Sequence, residues 1–147
     1  MKQFTTTLCA VLLIAACSVP ASAQKASLFK NYPDVIELSA VQLNQFFSTK
    51  KGQSNLLALP GGLSLDGTVI SSDFKYSNLQ RMAMKLPAFG NILFALYRRT
   101  EADNSVVYTG HLFSSNYADG YELKKVSADK YQLVKVQMEE MLPACNQ

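Results

Sequence analysis

The sequence predicts an α+β fold in which one N-terminal helix packs on a curled antiparallel sheet of six to eight strands. One segment combines a helix start signal with apolar residues at helical spacing. After it, short runs of β-favouring residues alternate with turn residues to the end of the chain, and the last four runs predict a meander. A length of 147 residues without an internal repeat fits a single domain.

The first 23 residues have the order of charges and apolar residues that is typical of an export signal. Lys2 supplies the positive charge, 8–16 is a short apolar run, and 21–23 reads Ala-Ser-Ala, a small-residue cleavage site. The apolar run is well short of the ~20 residues that cross a bilayer, so we expect a cleaved signal peptide. The mature chain would then be a linker at 24–32 and a globular domain at 33–147, in the periplasm or outside the cell.

The cysteines leave the mode of export open. Residues 14–17 read Ile-Ala-Ala-Cys, which resembles the box in which a bacterial lipoprotein is cut and lipidated, here at Cys17. Cleavage before Cys17 would tether the protein to a membrane, whereas cleavage after Ala23 would release it. In the released form only Cys145 remains, and it is then a free thiol or pairs with another chain as a disulfide-linked dimer.

The predicted helix spans about 39–49. Ser39 and Gln42 have the spacing of a capping box, in which each side chain satisfies a free backbone N–H of the other residue. Two lysines and Gly52 follow the last turn, where cations and glycine favour helix termination. The apolar stripe of this helix consists of Leu43, Phe46 and Phe47.

The remainder reads as strands separated by polar turns. Asp66-Gly67 has the strongest two-residue hairpin signal in the chain, so we expect a turn there. The strands are expected at 55–59, 63–65, 68–70, 82–86, 92–100, 105–113, 121–126 and 131–138.

The strand at 92–100 is apolar on both of its faces. Such a strand is typical of a sheet that is covered on both sides. We expect the helix residues Phe46 and Phe47 to cover one side and the curling sheet to cover the other. The two faces carry Ile92, Phe94 and Leu96, and Leu93, Ala95 and Tyr97, respectively.

Charge and residue types exclude several functions. Without Lys2, thirteen basic residues face eleven acidic ones and are dispersed in pairs, which argues against a nucleic-acid partner. The only histidine, His111, has no H-x-x-H or C-x-x-C pattern around it, so we expect no metal and no cofactor. A minimal hydrolase using Ser64 or His111 is a second alternative, although no catalytic constellation can be recognised.

Candidate binding residues remain. Tyrosine is enriched at binding surfaces, and six of the seven tyrosines lie at or after Tyr76. The candidates are Tyr117, Tyr121, His111, Arg98 and Arg99. We therefore expect an exported, non-enzymatic module that binds a protein or peptide at the cell envelope or outside it. The alternative is a carrier of a small apolar ligand, with a sheet cavity lined by Met82, Met84, Phe94 and Leu96.

Overall fold

The structure, a computed structural model, describes residues 25–141. The elements are β1 (Val35–Ser39), α1 (Ala40–Ser48), β2 (Ser54–Ala58), β3 (Ser64–Tyr76), β4 (Leu79–Leu86), β5 (Ile92–Thr100), β6 (Val106–Phe113), β7 (Asp119–Lys125), β8 (Lys130–Gln137) and the short α2 (Met138–Met141). Single 3-10 turns lie at Pro60–Gly62 and Pro87–Phe89.

All eight strands form one antiparallel sheet in the order β1-β8-β7-β6-β5-β4-β3-β2. From β2 to β8 each strand pairs with the next strand along the chain, and β1 joins the far edge beside β8. The predicted curled antiparallel sheet is confirmed. The predicted four-strand meander corresponds to β5 to β8, the last four strands of a longer meander that runs from β2 to β8.

The helix forms where the sequence places it, and its capping box is confirmed. The backbone N–H of Gln42 donates to Ser39 Oγ at 3.2 Å, and the N–H of Ser39 donates to Gln42 Oε1 at 2.9 Å. The buried stripe faces the sheet, where the ring of Phe46 meets Phe94 edge-to-face at 5.9 Å between centroids. The helix covers one face of the sheet, which we call the inner face.

The helix is not the first element of the fold, because β1 precedes it. Ile36 and Leu38 alternate with exposed residues in β1 and are buried against the core. Their strand partners, Leu133 and Tyr131, lie almost one hundred residues further along the chain. A five-residue strand with so distant a partner has no local hairpin signal, which is why the sequence did not indicate it.

The predicted turn at Asp66-Gly67 is wrong, because β3 runs straight through both residues. Gly67 pairs with Asn55 of β2. A Cβ atom at Gly67 would lie 2.3 Å from the carbonyl oxygen of Lys85. Gly67 therefore permits the close approach of β4, a role that a glycine within a strand often has. The hairpin turns later, after Tyr76, which pairs with Leu79.

The segment expected to be a linker, 24–32, contributes to the core over its described part. Phe29 is fully buried, with its ring 5.0 Å from Tyr121 and 5.4 Å from Phe89. The backbone N–H groups of Leu28 and Phe29 donate to the buried carboxylate of Asp119 at 2.6 and 3.0 Å. This segment closes one end of the sheet.

The inner face is filled by side chains. Met82, Met84, Phe94 and Leu96, the residues expected to line a ligand cavity, are all buried in a single core cluster with α1 and Phe29. Among residues 25–141, no helix has the length and apolar character needed to span a membrane.

Candidate functional site

The strongest candidate site is the outer face of β5 and β6, opposite the helix. Only the inner face of β5 is covered within residues 25–141: Leu93 is 42% exposed, and Ala95 and Tyr97 are half-buried. The register pairs Leu93 with Phe113 and Ala95 with His111. We call Leu93, Ala95, Tyr97, His111 and Phe113 the outer-face patch. We expected the curling sheet to cover this second face of β5, and within residues 25–141 it does not.

His111 lies at the centre of the patch. Its ring stacks on Phe113 with 4.5 Å between centroids and an interplanar angle of 28°, and Tyr97 lies 6.4 Å away. Partial burial lowers the pKa of His111 below its usual 6.5, because the charged imidazolium loses hydration, and Glu122 on β7 opposes part of this shift. A neutral, aromatic-flanked imidazole can take part in an apolar contact and offers one hydrogen-bond donor and one acceptor.

Two depressions lie along the patch, one over most of its residues and the other at its Tyr97 end. One of about 430 Å³ is bordered by Leu93, His111 and Phe113 together with the polar residues Asn91, Ser114 and Ser115. The other, of about 250 Å³, is lined by Leu79, Tyr97, Arg99, Val107 and Thr109. An apolar centre with a polar rim is the usual anatomy of a protein-binding surface.

Arg98 and Arg99 lie on opposite faces of the sheet. Arg99 borders the second depression, and its Nη2 lies 2.6 Å from Glu101 Oε1. Arg98 faces α1, where its Nη1 donates to Asn44 Oδ1 at 3.1 Å and its guanidinium carbon lies 5.5 Å from the centroid of Phe47. Arg99 therefore belongs to the rim of the candidate site, whereas Arg98 connects the helix to the sheet.

The two tyrosines contribute less to the surface than the sequence suggests. Tyr121 is fully buried, and its hydroxyl donates to the carbonyl of Pro33 at 2.6 Å. Burial, with Asp34, Asp119 and Tyr32 nearby, raises its pKa to about 12. Tyr121 is thus a core residue that no partner reaches, and its assignment as a binding residue is corrected. Tyr117 is half-buried against the core, so part of its side chain is needed for packing after all.

Ser64 and His111, the two residues considered for a hydrolase, do not form a pair with each other. Ser64 lies in β3 and His111 in β6, with β4 and β5 between them. Three strand spacings correspond to about 14 Å, whereas a nucleophile and its base must lie within hydrogen-bond reach. Within the described part of the chain, no three His, Cys, Asp or Glu side chains are grouped to hold a metal ion. Cys17 and Cys145 lie outside the described residues.

Comparison with known proteins adds no family: no family model, no curated protein and no solved structure matches the chain. An argument for function therefore starts from the surface chemistry of this molecule.

Two surface features were not assigned to a site from the sequence. The neighbours of His111 in the patch were visible as the second apolar face of β5, but they were expected to be covered. Phe74 and Tyr76, at the end of β3, are 66% and 71% exposed. They fall in 71–81, where the sequence shows no regular alternation, so nothing indicated an exposed strand there.

Proposed function

We propose that the chain is an exported, non-enzymatic binding module that holds a protein partner on the outer-face patch. The observation that carries this proposal is the two-sided apolar character of β5, of which the described chain covers one side only. Contiguous exposed apolar surface with a polar rim is typical of interaction sites, because water contact with that surface is unfavourable until a partner removes it.

The residues around the patch favour a protein over a small ligand. Leu93, His111 and Phe113 lie on a strand surface, and the depression that they border is wide open to solvent. Small-molecule sites usually enclose most of their ligand. The inner face, where a carrier would hold an apolar ligand, is occupied by Phe29, Phe46 and Phe47.

The proposed export rests on the N-terminal sequence, with a contact in the fold that is compatible with it. The carbonyl of Ala26 accepts a hydrogen bond from the N–H of Ala118 at 3.0 Å. Cleavage after Ala23 would leave the contacts of Ala26 and Phe29 intact. Under the alternative, a lipid on Cys17 would hold the same body near a membrane through eight intervening residues, a reach of about 30 Å at full extension.

The direct test replaces Leu93 with glutamate. We expect L93E to fold, because the side chain is 42% exposed and lies opposite Lys85 in the ladder. A charge within the interface would be desolvated on binding, so affinity for the partner should fall at least tenfold, or about 1.4 kcal/mol. The measurement is quantitative recovery of crosslinked partner from the envelope fraction and the medium.

The matched control is V41E on the exposed face of α1, where Val41 is 69% exposed and lies on the opposite side of the sheet from the outer-face patch. V41E should retain the partner. Equal recovery by wild-type protein and L93E, or the absence of any specific partner from both fractions, would contradict the proposal.

A further inference from the structure

The second half of β3 has a free edge. Pairing between β2 and β3 ends at Ser54 and Thr68, and two further hydrogen bonds join Val69 to Gly52 and Gln53, at 2.7 and 2.9 Å. Beyond Val69 the strand continues to Tyr76 with β4 on one side and, among residues 25–141, no strand on the other. We call residues 70–76 the open edge.

An open edge carries backbone N–H and C=O groups that a further strand can satisfy. Two bulges, between Val69 and Ser71 and between Phe74 and Tyr76, interrupt its pairing with β4. The regular stretch between the bulges is four residues long, 71–74. Bulges limit the pairing of long strands, so this edge fits a short segment and not an extended sheet.

The side chains along the edge are aromatic and cationic. Phe74 and Tyr76 are mostly exposed and lie on either side of Lys75, which is also exposed. Lys50 and Lys51 are both exposed and lie in the turn that precedes β2, at the end of β2 nearest to the open edge.

The acidic residue of the edge is already paired. Asp73 accepts a hydrogen bond from Ser71 Oγ and lies 3.7 Å from Arg81 Nη2. The hydrogen bond from Ser71 and the charges of Arg81, Lys75 and Lys51 lower its pKa. Because Asp73 is balanced by Arg81, the charges of Lys50, Lys51 and Lys75 give the open edge a net positive charge.

We propose that the open edge binds a short acidic peptide segment as an additional strand, antiparallel to β3. A segment added in this direction would lie in line with β2, which also pairs antiparallel with β3. The C-terminal end of such a segment would lie beside Gly52, next to Lys50 and Lys51. A terminal carboxylate or an acidic side chain complements these lysines, whereas a parallel segment would bring its α-ammonium group there.

The same features disfavour a second copy of this chain at the edge. Two open edges side by side would bring their lysines together, and like charges suppress association. An anionic membrane would meet the lysines and aromatic residues but would leave the backbone groups of the edge without partners. The open edge shares no residue with the outer-face patch, and β4 lies between β3 and β5.

The experiment selects binders from a library of random eight-residue peptides with free C-termini, using the full mature chain. We expect enrichment of acidic residues at the C-terminal positions. With the strongest selected peptide, the amides of 70–76 that point away from β4 should exchange with solvent at least tenfold more slowly. The double variant K50Q/K51Q should bind it at least tenfold more weakly.

The control variant K124Q/K125Q removes an exposed lysine pair at the end of β7 and should bind the peptide normally. L93E should also bind it normally, which separates this site from the outer-face patch. Selection without acidic enrichment, or unchanged exchange at 70–76 on binding, would overturn the proposal. Binding to phosphatidylglycerol vesicles that depends on the same lysines, without peptide binding, would overturn it in favour of a lipid surface.

Discussion

At the scale of single residues, Asp119 connects parts of the chain that are far apart in sequence. It is the start of β7, yet its buried carboxylate accepts hydrogen bonds from Ser27, Leu28 and Phe29. The sequence suggests only that an aspartate at a turn bonds its own backbone. Here it holds the N-terminal segment on the core instead.

Replacing Asp119 with alanine should lower the free energy of unfolding by about 3 kcal/mol. The N–H groups of Leu28 and Phe29 would lose a charged acceptor within a buried site. Urea denaturation measures the loss. The control is D103A, because Asp103 is exposed and its hydrogen bonds are local, among them one accepted from the Ser105 N–H at 2.9 Å. A loss no larger than that of D103A would contradict the assigned role.

His111 predicts a pH dependence of stability. The folded state lowers its pKa, so the unfolded chain binds the proton more readily. The stability that neutral His111 contributes is complete above its ordinary pKa of 6.5 and is lost as the pH falls below that value. We expect the free energy of unfolding to decrease between pH 7 and pH 5, and to decrease less in H111Q. Identical slopes in the two proteins would refute this. Asp73 and Asp103, whose pKa values are also lowered, act at lower pH.

At the scale of elements, the capping box decides where α1 begins. In S39A the N–H of Gln42 loses its acceptor at the helix start. Gln42 Oε1 then accepts only from the backbone N–H of residue 39, because the second donor, Ser39 Oγ, is gone. We expect S39A to destabilise the fold by about 1 kcal/mol in thermal or urea unfolding. S48A, which removes an exposed bond from Ser48 Oγ to the carbonyl of Gln45, should cost less. A larger loss in S48A than in S39A would contradict the role of the cap.

Local sequence patterns predicted the helix and the strands of the meander. They failed where contacts between residues far apart in sequence determine the structure. The strand expected at 92–100 is β5 as observed, because alternation and flanking turn residues are local signals. The turn predicted at Asp66-Gly67 is wrong because Gly67 has a different role, which is to avoid a clash with Lys85 of the neighbouring strand. The second half of β3 is exposed and so has no burial pattern.

The candidate site was predictable in part for the same reason. His111 and the second apolar face of β5 were visible in the sequence. Whether another part of the chain covers that face depends on the curl of the whole sheet, which no short window encodes.

At the scale of the whole molecule, the two ends of the sheet approach each other. Gly61, in the 3-10 turn after β2, lies against Pro33, which precedes β1. These strands are the opposite edges of the sheet, so this contact joins them. Gly61 has a φ of +77°, and a Cβ atom there would lie 2.2 Å from Pro33 Cγ.

The variant G61A should therefore lose more stability than its neighbour G62A. Gly62 also has a positive φ, +81°, but a Cβ atom there would meet nothing within 4 Å. Both variants strain the backbone by about 1 kcal/mol, and the clash with Pro33 adds about 1–3 kcal/mol in G61A alone. Thermal unfolding of the pair measures the difference, and equal losses would show that the edges do not depend on this contact.

We propose that the protein, once exported, meets its partner at the outer-face patch. The most direct measurement places a photoreactive amino acid at position 93 in one variant and at position 41 in another, and illuminates cells that export each protein. We predict a discrete crosslinked adduct from position 93 and none from position 41. No adduct from position 93, or the same adducts from both positions, would contradict the claim.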